Sequence, residues 1–259
     1  TATDDKNIGI LANEKATGIN EGTIQVKTLE SVGMLGQAAS EVINRNTINL
    51  IAEKGIGMLA KDATSTALNY GDINVTGKKS SGMLAKEAGK AENKKNINVT
   101  AENGVGIFVS DTGEGINTTT TGKITLDSKN AVGIFAQNNG TANTRSVVKN
   151  TKIINVSKEG SAGILGEKST ITNSGAGTDG IVLTANKTVG IIGKNASEVS
   201  NTGRIETKTA TPSGSSEGLV GISLNASTGT NSGDIILGTA HSTGMNGVAS
   251  STVINAKNI

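Results

Sequence analysis

The sequence predicts an all-β fold: a right-handed, three-faced parallel β-helix (solenoid) of about ten rungs, uncapped at both ends. A pentapeptide like Ile56-Gly57-Met58-Leu59-Ala60 occurs ten times, and its central glycine returns every 23 to 31 residues. A segment of the type Ile-x-Val lies between successive copies, and an asparagine usually stands four residues before its isoleucine. Repeats of this length are typical of solenoids, in which each repeat stacks only on its neighbours. We therefore expect one elongated domain over residues 1–259.

The pentapeptide is predicted to form the first strand of each rung, because it is a short apolar run that contains glycine. The residues before and after the central glycine are expected to point into the core, since alternate residues of a strand face the same side. The central glycines predicted to form a structural ladder include Gly33, Gly57, Gly82, Gly106 and Gly133. The flanking pairs are Ile8/Ile10, Val32/Met34, Ile56/Met58, Val105/Ile107, Val132/Ile134 and Val189/Ile191.

The position after each pair holds a large apolar side chain, and two interpretations of this row stay open. Either the chain bends after the glycine so that both rows are buried, or the row is an exposed apolar stripe that docks a partner. Phe108 and Phe135 occupy equivalent places on successive rungs and are expected to stack. The row consists of Leu11, Leu35, Leu59, Leu84, Phe108, Phe135, Leu165 and Ile192.

The Ile-x-Val segments are predicted to be the second strands, because they alternate in polarity and are rich in β-branched residues. Their isoleucines, among them Ile48, Ile73 and Ile97, are expected to form an aliphatic ladder in the core. The residues between are expected to form a flat polar outer face that includes Gln25, Asn49, Asn74, Asn98, Thr125 and Asn155.

The asparagine row is assigned to a third, weaker strand. Asparagines such as Asn44 and Asn69 are expected to hydrogen-bond along the axis of the stack, because amide side chains form such ladders in stacked β-structure and tolerate tight turns. One copy has Thr120 in this place, and near Asn173 the spacing is stretched by the glycine-rich residues 174–177. We therefore interpret the row as structural and not as a polar binding site.

Insertions are predicted at turns, where a solenoid accepts extra residues without losing its stack. The predicted insertion loops lie near residues 112–121, 138–145, 173–179 and 209–216. Two of these loops supply the candidate ligand-binding residues, which are Asn138, Asn139, Thr209, Thr211, Pro212 and Glu217.

The composition argues against several functional classes. The chain has no cysteine, which removes disulfides and thiolate metal sites, and its net charge of +2 with 1% aromatic residues gives no support to nucleic-acid binding. His241 is the only histidine and is expected in a solvated turn. No serine-nucleophile elbow, phosphate-binding loop or pair of zinc-binding histidines occurs. The sequence therefore predicts neither an enzyme nor a cofactor or metal site.

Two stretches, NYGDINVTGKKSSGMLAKEA (69–88) and NSGDIILGTAHSTGMNG (231–247), resemble the passenger repeats of very large autotransporter adhesins from fusobacteria and their relatives. The shared pattern is Asn-x-Gly-x-Ile-x-Val, a short turn, and then Ser-x-Gly-Ile/Met-Leu/Phe-Ala. The resemblance implies a passenger displayed at the bacterial cell surface, attached to the outer membrane only through a C-terminal β-barrel that lies outside these residues. It also implies attachment to a protein or glycan receptor on host cells or partner bacteria, and we expect a monomer that continues in both directions.

Two other functions stay open. A polysaccharide-acting enzyme of β-helical fold would need carboxylates clustered on one face. A structural solenoid unrelated to autotransporters, such as a phage fibre or an ice binder, would be favoured by a trimeric interface or a flat array of threonines.

Overall fold

The computed structural model describes residues 6–118, 121–140, 144–207, 218–239 and 241–257. In these ranges, 29 β-strands stack in parallel into three sheets of ten, ten and nine strands. Successive strands along the chain belong to different sheets, so a full rung contributes one strand to each sheet. The predicted all-β, three-faced parallel β-helix is therefore confirmed.

Sheet A is built from the pentapeptides. Neighbouring copies pair like with like, so that Met58 lies beside Met83 and Leu59 beside Leu84. Its strands are β1 (Ile8–Ala12), β4 (Val32–Gly36), β7 (Ile56–Lys61), β10 (Ser81–Lys86), β13 (Val105–Ser110), β16 (Val132–Gln137), β19 (Ala162–Glu167), β22 (Val189–Lys194), β25 (Val220–Asn225) and β28 (Thr243–Val248).

Sheet B consists of the short strands that end on the asparagines. On the inner rungs the residue two positions before the asparagine, such as Val42 or Ala67, is buried. Its strands are β2 (Thr17–Asn20), β5 (Glu41–Asn44), β8 (Thr66–Asn69), β11 (Lys90–Asn93), β14 (Glu114–Asn117), β17 (Ser146–Asn150), β20 (Ser169–Asn173), β23 (Glu198–Asn201), β26 (Thr228–Asn231) and β29 (Thr252–Asn255).

Sheet C consists of the Ile-x-Val segments. Ile48, Ile73 and Ile97 lie side by side in it and are fully buried. Its strands are β3 (Thr23–Val26), β6 (Thr47–Leu50), β9 (Asp72–Val75), β12 (Asn96–Val99), β15 (Lys123–Leu126), β18 (Ile153–Val156), β21 (Ile181–Leu183), β24 (Ile205–Thr207) and β27 (Ile235–Ile236).

The three sheets enclose a narrow aliphatic core. Sheet A contributes Met58, sheet B contributes Ala67, and sheet C contributes Ile73 and Val75, all fully buried. Each large aliphatic side chain buried in this way stabilises the fold by roughly 1.5–3 kcal/mol. Aliphatic side chains suffice to fill this core, which explains how a chain with 1% aromatic residues folds.

The prediction that both neighbours of the central glycine enter the core is wrong for the preceding residue. In β7, Ile56 is half-buried on the outer face, whereas Gly57 and Met58 are both buried. The strand turns a corner at the glycine, so two successive residues face inward. A Cβ atom on Gly57 would lie 2.4 Å from the carbonyl oxygen of Gly82 and 3.3 Å from Cγ2 of Ile73, so this corner has no room for a side chain. The other preceding residues that lie outside the core are Ile8, Val32, Val105, Val132 and Val189.

The large apolar row lies on the outer face of sheet A, so the interpretation that a bend buries both rows is wrong. Leu59 points outward between Met58 and Ala60, which are fully buried. That interpretation requires Met58 and Leu59 both to face inward. The two successive inward residues are instead Gly57 and Met58, and from Met58 onward inward and outward residues alternate. Like residues on the rungs above and below cover much of each side chain, and Leu35 and Leu84 are only 9% exposed.

The asparagines form an internal ladder along sheet B. Asn44 donates from Nδ2 to Oδ1 of Asn69 at 2.8 Å, and Asn69 donates in the same way to Asn93 at 2.8 Å. The same bond joins each neighbouring pair from Asn20 to Asn255. The expected structural role of the row therefore fits its geometry.

The assignment of Thr120 to this row is wrong. Asn117 takes the place instead, accepting from Asn93 at 2.9 Å and donating to Asn150 at 2.9 Å. The extra residues of this rung follow the asparagine, so the distance to the next isoleucine is stretched while the distance from Gly106 is unchanged. Thr120 itself lies outside the described residues.

A second polar ladder, which the sequence analysis did not predict, lies at the turn from sheet A to sheet B. The N–H of Ser40 donates to Oγ of Ser65 at 3.3 Å. Farther along, Ser169 N–H donates to Ser197 Oγ, and Ser197 N–H to Ser227 Oγ, both at 3.1 Å. These serines are buried, and each stands four residues before a ladder asparagine. This fixed spacing is the sequence signal from which the serine ladder could have been predicted.

The insertion loops occupy turns, with one exception. Residues 138–140 and 144–145 lie between β16 and β17, and residues 174–180 lie between β20 and β21. The stretch 112–121 is not one loop, because β14 (Glu114–Asn117) lies inside it and the extra residues come after that strand. The stretch 209–216 lies outside the described residues. Within the part of the chain that the structure describes, no helix could cross a membrane.

Candidate binding surface

The outer face of sheet A carries a continuous apolar surface, which we call the apolar stripe. On one rung it consists of Ile56 and Leu59, both half-buried, and the next outward residue, Lys61, forms a polar border. Four further rungs contribute outward apolar side chains that are half-buried. The apolar stripe comprises Ile56, Leu59, Val105, Phe108, Val132, Phe135, Leu165, Val189 and Ile192.

The two phenylalanines lie at the centre of the apolar stripe. The rings of Phe108 and Phe135 stack with their centroids 5.2 Å apart and an angle of 21° between the planes, which confirms the predicted stacking. Both side chains are half-buried, so part of each ring faces solvent. Large apolar side chains in a continuous outward row are a common feature of protein-binding surfaces.

Asn138, one of the predicted ligand-binding residues, holds its own loop together. It is 7% exposed, and its Oδ1 accepts the N–H of Gly140 at 2.8 Å. Its Nδ2 donates to the carbonyl of Thr144, and its own N–H donates to the carbonyl of Glu167 at 3.2 Å. Asn139, by contrast, is exposed. The amide of Asn138 is therefore committed to loop closure, and Asn139 is the residue of this pair that a ligand could reach.

Replacing Asn138 with alanine is expected to open the loop without unfolding the rod. The variant loses the hydrogen bonds that close residues 138–145, each worth about 1 kcal/mol, whereas the stacked strands keep their contacts. Limited proteolysis should cut this loop faster than in the unmodified chain, and the urea midpoint of global unfolding should stay unchanged. Asn139→Ala is the matched control and should leave the cleavage rate as it is. Equal cleavage of both variants would contradict this role of Asn138.

Arg145 ties the end of the same loop to rungs farther along the stack. Its guanidinium donates to the carbonyl of Ala196 and forms an ion pair with Glu198 at 3.1 Å. A shallow cleft of about 190 Å³ lies here, lined also by Ser227 and Thr228. Of the remaining candidates, Thr209, Thr211, Pro212 and Glu217 lie outside the described residues.

The loop at 173–179 is fixed by one ion pair. Lys152 on the rung below reaches Asp179 at 2.6 Å, and both side chains are about one quarter exposed. Gly175 lies directly under Gly203 of the next rung, and a Cβ on Gly203 would lie 2.5 Å from the Gly175 carbonyl oxygen. This loop is therefore packed against the stack on its inner side.

Ion pairs line the turns from sheet C to sheet A. Glu30 lies between two lysines, at 2.9 Å from Lys6 and 3.3 Å from Lys54. The hydrogen bonds and charges of these lysines lower the pKa of Glu30 below its usual value. On later rungs Lys158 pairs with Asp127 at 3.0 Å and Lys187 with Glu159 at 3.1 Å. Such exposed pairs contribute little to stability, about 0–1 kcal/mol each, but they give these turns a surface of alternating charge.

Asp62 closes the turn of the rung below it. Its carboxylate accepts the N–H of Ala38 at 2.8 Å and the hydroxyl of Ser65 at 2.9 Å. Ala38 and Ala39 both have positive φ, so their N–H groups point together towards one acceptor. The hydrogen bond from Ala38, with smaller contributions from Ser65 and Ala39, lowers the pKa of Asp62 below its usual 3.8.

The turn that Asp62 closes is expected to weaken in acid. Because the folded-state pKa is lowered, the contribution of Asp62 is present above the unfolded value of 3.8 and is lost as the pH falls through the folded-state pKa. In an NMR titration the Asp62 carboxyl carbon and the Ala38 amide should shift together, with a midpoint below 3.8. Asp62→Asn, which cannot ionise, should abolish the titration of the Ala38 amide. A midpoint at or above 3.8 would contradict the hydrogen-bonded carboxylate.

The carboxylates on the outer faces are largely engaged by cations. Glu114 pairs with Lys149 at 2.6 Å, and Asp234 with Lys257 at 2.8 Å. Glu206, 5% exposed, pairs with Arg204 at 2.6 Å. Among the described residues, no group of three or more His, Cys, Asp and Glu side chains could hold a metal ion.

Residues 1–120 match the family model described as the BigA third pectate lyase-like domain. The match covers the first four rungs and strands β13 and β14 of the fifth, and together with the three-sheet stack it fits the passenger-domain repeats that the sequence resembles. The words pectate lyase-like describe a fold and carry no evidence for or against catalysis. No curated protein and no solved structure was found to match the chain.

Proposed function

We propose that the chain is a segment of a surface-displayed adhesin passenger, a rod whose outer faces attach to other bacteria or to host cells. The observation that carries this proposal is the apolar stripe, a continuous outward row of large apolar side chains along a stack of parallel strands. The phenylalanines leave part of their apolar surface in solvent on two successive rungs, and a row of exposed apolar surface favours a partner. The match of residues 1–120 to a domain of the β-helical passenger type supports the same function.

In this proposal the segment acts by position and surface and carries out no reaction. The insertions leave the strand register of the stack intact, so the rod holds its outer faces at fixed distances along its axis. The protein would be held at the bacterial outer membrane by another part of a longer chain. The receptor is a protein or glycan on the opposing cell.

The proposal is tested with beads coated with the purified chain. We expect these beads to adhere to bacterial or epithelial cells well above the level of uncoated beads, and the soluble chain should compete. A stripe variant, Phe108→Thr with Phe135→Thr, should reduce adhesion, because it replaces the centre of the apolar stripe with small polar side chains that suit a strand.

Two loop variants identify the contacting surface. Deletions of residues 138–145 and of 209–216 should be made separately, with circular dichroism as the control for folding. Adhesion that falls in a loop variant but not in the stripe variant would move the contact to the loop. If beads coated with the unmodified chain adhere no better than uncoated beads, the adhesive surface is refuted and the segment is a spacer.

A further inference from the structure

One rung interrupts an aliphatic run on the outer face of sheet B, between strands β2 and β14. The middle outward residue of the strands is aliphatic on the neighbouring rungs, with Ile43, Leu68 and Ile116, but it is Glu92 on the rung between Leu68 and Ile116. The Glu92 side chain is only 15% exposed. A carboxylate between two aliphatic side chains is unfavourable unless cations compensate it. This position therefore differs chemically from the aliphatic residues on the rungs directly above and below it.

Two lysines balance the negative charge of the Glu92 carboxylate. Lys90 and Lys94 each approach the Glu92 carboxylate at 3.5 Å, one on each side. Lys94 also donates to the hydroxyl of Tyr70 at 3.0 Å, and its ammonium lies 4.9 Å from the centre of the Tyr70 ring. The bond to Tyr70 and the charge of Glu92 raise the pKa of Lys94 in spite of its partial burial, so Lys94 stays charged at neutral pH. The four side chains thus form one connected cluster.

Tyr70 gives this cluster an exposed aromatic surface. It is the only tyrosine of the chain, which has no tryptophan, and it is 45% exposed. It stands at the turn from sheet B to sheet C, directly after a ladder asparagine. The same place on the neighbouring rungs is taken by polar residues, namely Glu21, Arg45, Lys94, Thr118 and Thr151. An aromatic ring fixed by a hydrogen bond at its hydroxyl and open to solvent is suited to stacking against a ligand.

The charge of the cluster selects the kind of ligand. Within the cluster, Lys90 and Lys94 carry two positive charges against the single negative charge of Glu92. Glu114, beside Lys90 on the next rung, is paired with Lys149. A carboxylate on a ligand can accept hydrogen bonds from lysine ammonium groups, which have three donors each. The apolar face of a pyranose ring can at the same time cover the Tyr70 ring. The two contacts come from neighbouring rungs, which are about 4.8 Å apart.

We propose that Tyr70, Lys90 and Lys94 bind a carboxylate-bearing sugar, the sialic acid or uronic acid residue of a cell-surface glycan. This inference rests on the proposed adhesive function, since it makes a glycan the receptor. The sugar ring stacks on Tyr70, and its carboxylate is held by the ammonium groups of Lys90 and Lys94. Glu92 keeps the two lysines in place and accepts from them when the site is empty. The contacts are few, so a single sugar is expected to bind with a dissociation constant of about 1 mM.

The single tyrosine makes the site directly observable. Because the chain has one tyrosine and no tryptophan, its tyrosine fluorescence reports Tyr70 alone. The probes are 3′-sialyllactose, a glucuronate-containing tetrasaccharide and neutral lactose. We expect a saturable change in tyrosine emission with an acidic probe and none with lactose. A response to the sialylated probe alone assigns the carboxylate to sialic acid, and a response to the glucuronate probe alone assigns it to a uronic acid.

Three variants complete the test. Lys94→Met, which keeps the length of the side chain and removes its charge, should weaken binding about tenfold, and Lys90→Met should weaken it by a smaller factor. Lys187→Met, in a distant ion pair with Glu159, is the matched control and should bind as the unmodified chain does. Circular dichroism checks that the variants fold. An unmodified chain whose tyrosine emission responds equally to lactose, or not at all, overturns the proposal.

The outcome is separable from that of the adhesive function. Coated beads that adhere while no acidic sugar changes the Tyr70 emission refute this site and leave the adhesive rod standing. Sugar binding that Lys94→Met leaves unchanged overturns the site as well, because Lys94 would then contact Tyr70 without contacting the sugar. Sugar binding without bead adhesion supports the site and refutes the adhesive role of the segment.

Discussion

Asn93→Ala is expected to lower the free energy of unfolding by about 3–5 kcal/mol, because it breaks the internal ladder and leaves buried polar groups without partners. Asn93 is fully buried. Its Nδ2 donates to Asn117 at 2.9 Å and to the carbonyl of Lys95 at 2.9 Å, and its Oδ1 accepts from Asn69 at 2.8 Å. Each buried group that loses its partner costs about 1–3 kcal/mol, and alanine leaves no room for enough water to replace all three bonds.

The outer face of sheet C offers a matched control for this loss. Asn74 also stands in a ladder, donating to Asn49 at 2.9 Å and accepting from Asn98 at 3.0 Å, but it is half-buried and in reach of water. Asn74→Ala should therefore cost less than about 1 kcal/mol. Urea unfolding followed by circular dichroism measures both variants. Equal losses would show that burial does not govern the strength of these ladders.

Gly57→Ala is expected to lower the free energy of unfolding by about 3 kcal/mol, since the added methyl group has no space at the corner of the rung. Its Cβ would lie 2.4 Å from the carbonyl oxygen of Gly82 on the next rung, and 3.2 Å from Cδ1 of Leu50. The nearest atom belongs to the backbone, so relief requires the two rungs to move apart at this corner. Such a movement disturbs the parallel pairing of β7 with β10.

Gly22→Ala provides the control for the change from glycine to alanine. A Cβ on Gly22 meets no atom within 4 Å, and its φ is not in the left-handed region. This variant should leave stability within about 0.5 kcal/mol of the original value. Thermal unfolding of the two variants side by side gives the comparison. A Gly57→Ala variant as stable as Gly22→Ala would mean that the corner can widen without cost.

The fold could be predicted from the sequence because the repeat itself carries the information. A strand of the Ile-x-Val type recurs on nine rungs, and stacking equivalent residues such as Ile48, Ile73 and Ile97 gives both the pairing and the core. The details that failed depend on local geometry. Alternation assumes a straight strand, and the corner at Gly57 puts two successive residues inward. The extra residues of the fifth rung lie between Asn117 and Ile124, so counting four residues back from the isoleucine gives Thr120 instead of Asn117.

The candidate binding residues could not be predicted as well, because their roles depend on contacts between rungs. Asn138 has the composition of a loop residue that could bind a ligand, yet its amide closes the loop from inside. The buried serines looked like ordinary turn residues, although Ser65 accepts the N–H of the serine one rung below it. The cluster around Tyr70 joins residues that are 24 positions apart in the chain, and only the stacked register brings Lys94 against the ring.

The rod architecture is tested most directly by deleting two whole rungs. Removing residues 57–105 joins Ile56 to Gly106 and restores a pentapeptide in the same register. Because the rungs are about 4.8 Å apart, the shortened chain should stay folded, with an unchanged β-type circular dichroism spectrum and a maximum dimension about 10 Å smaller by small-angle X-ray scattering. An unfolded or aggregated product, or a folded product of unchanged length, would contradict a stack in which each rung contacts only its neighbours.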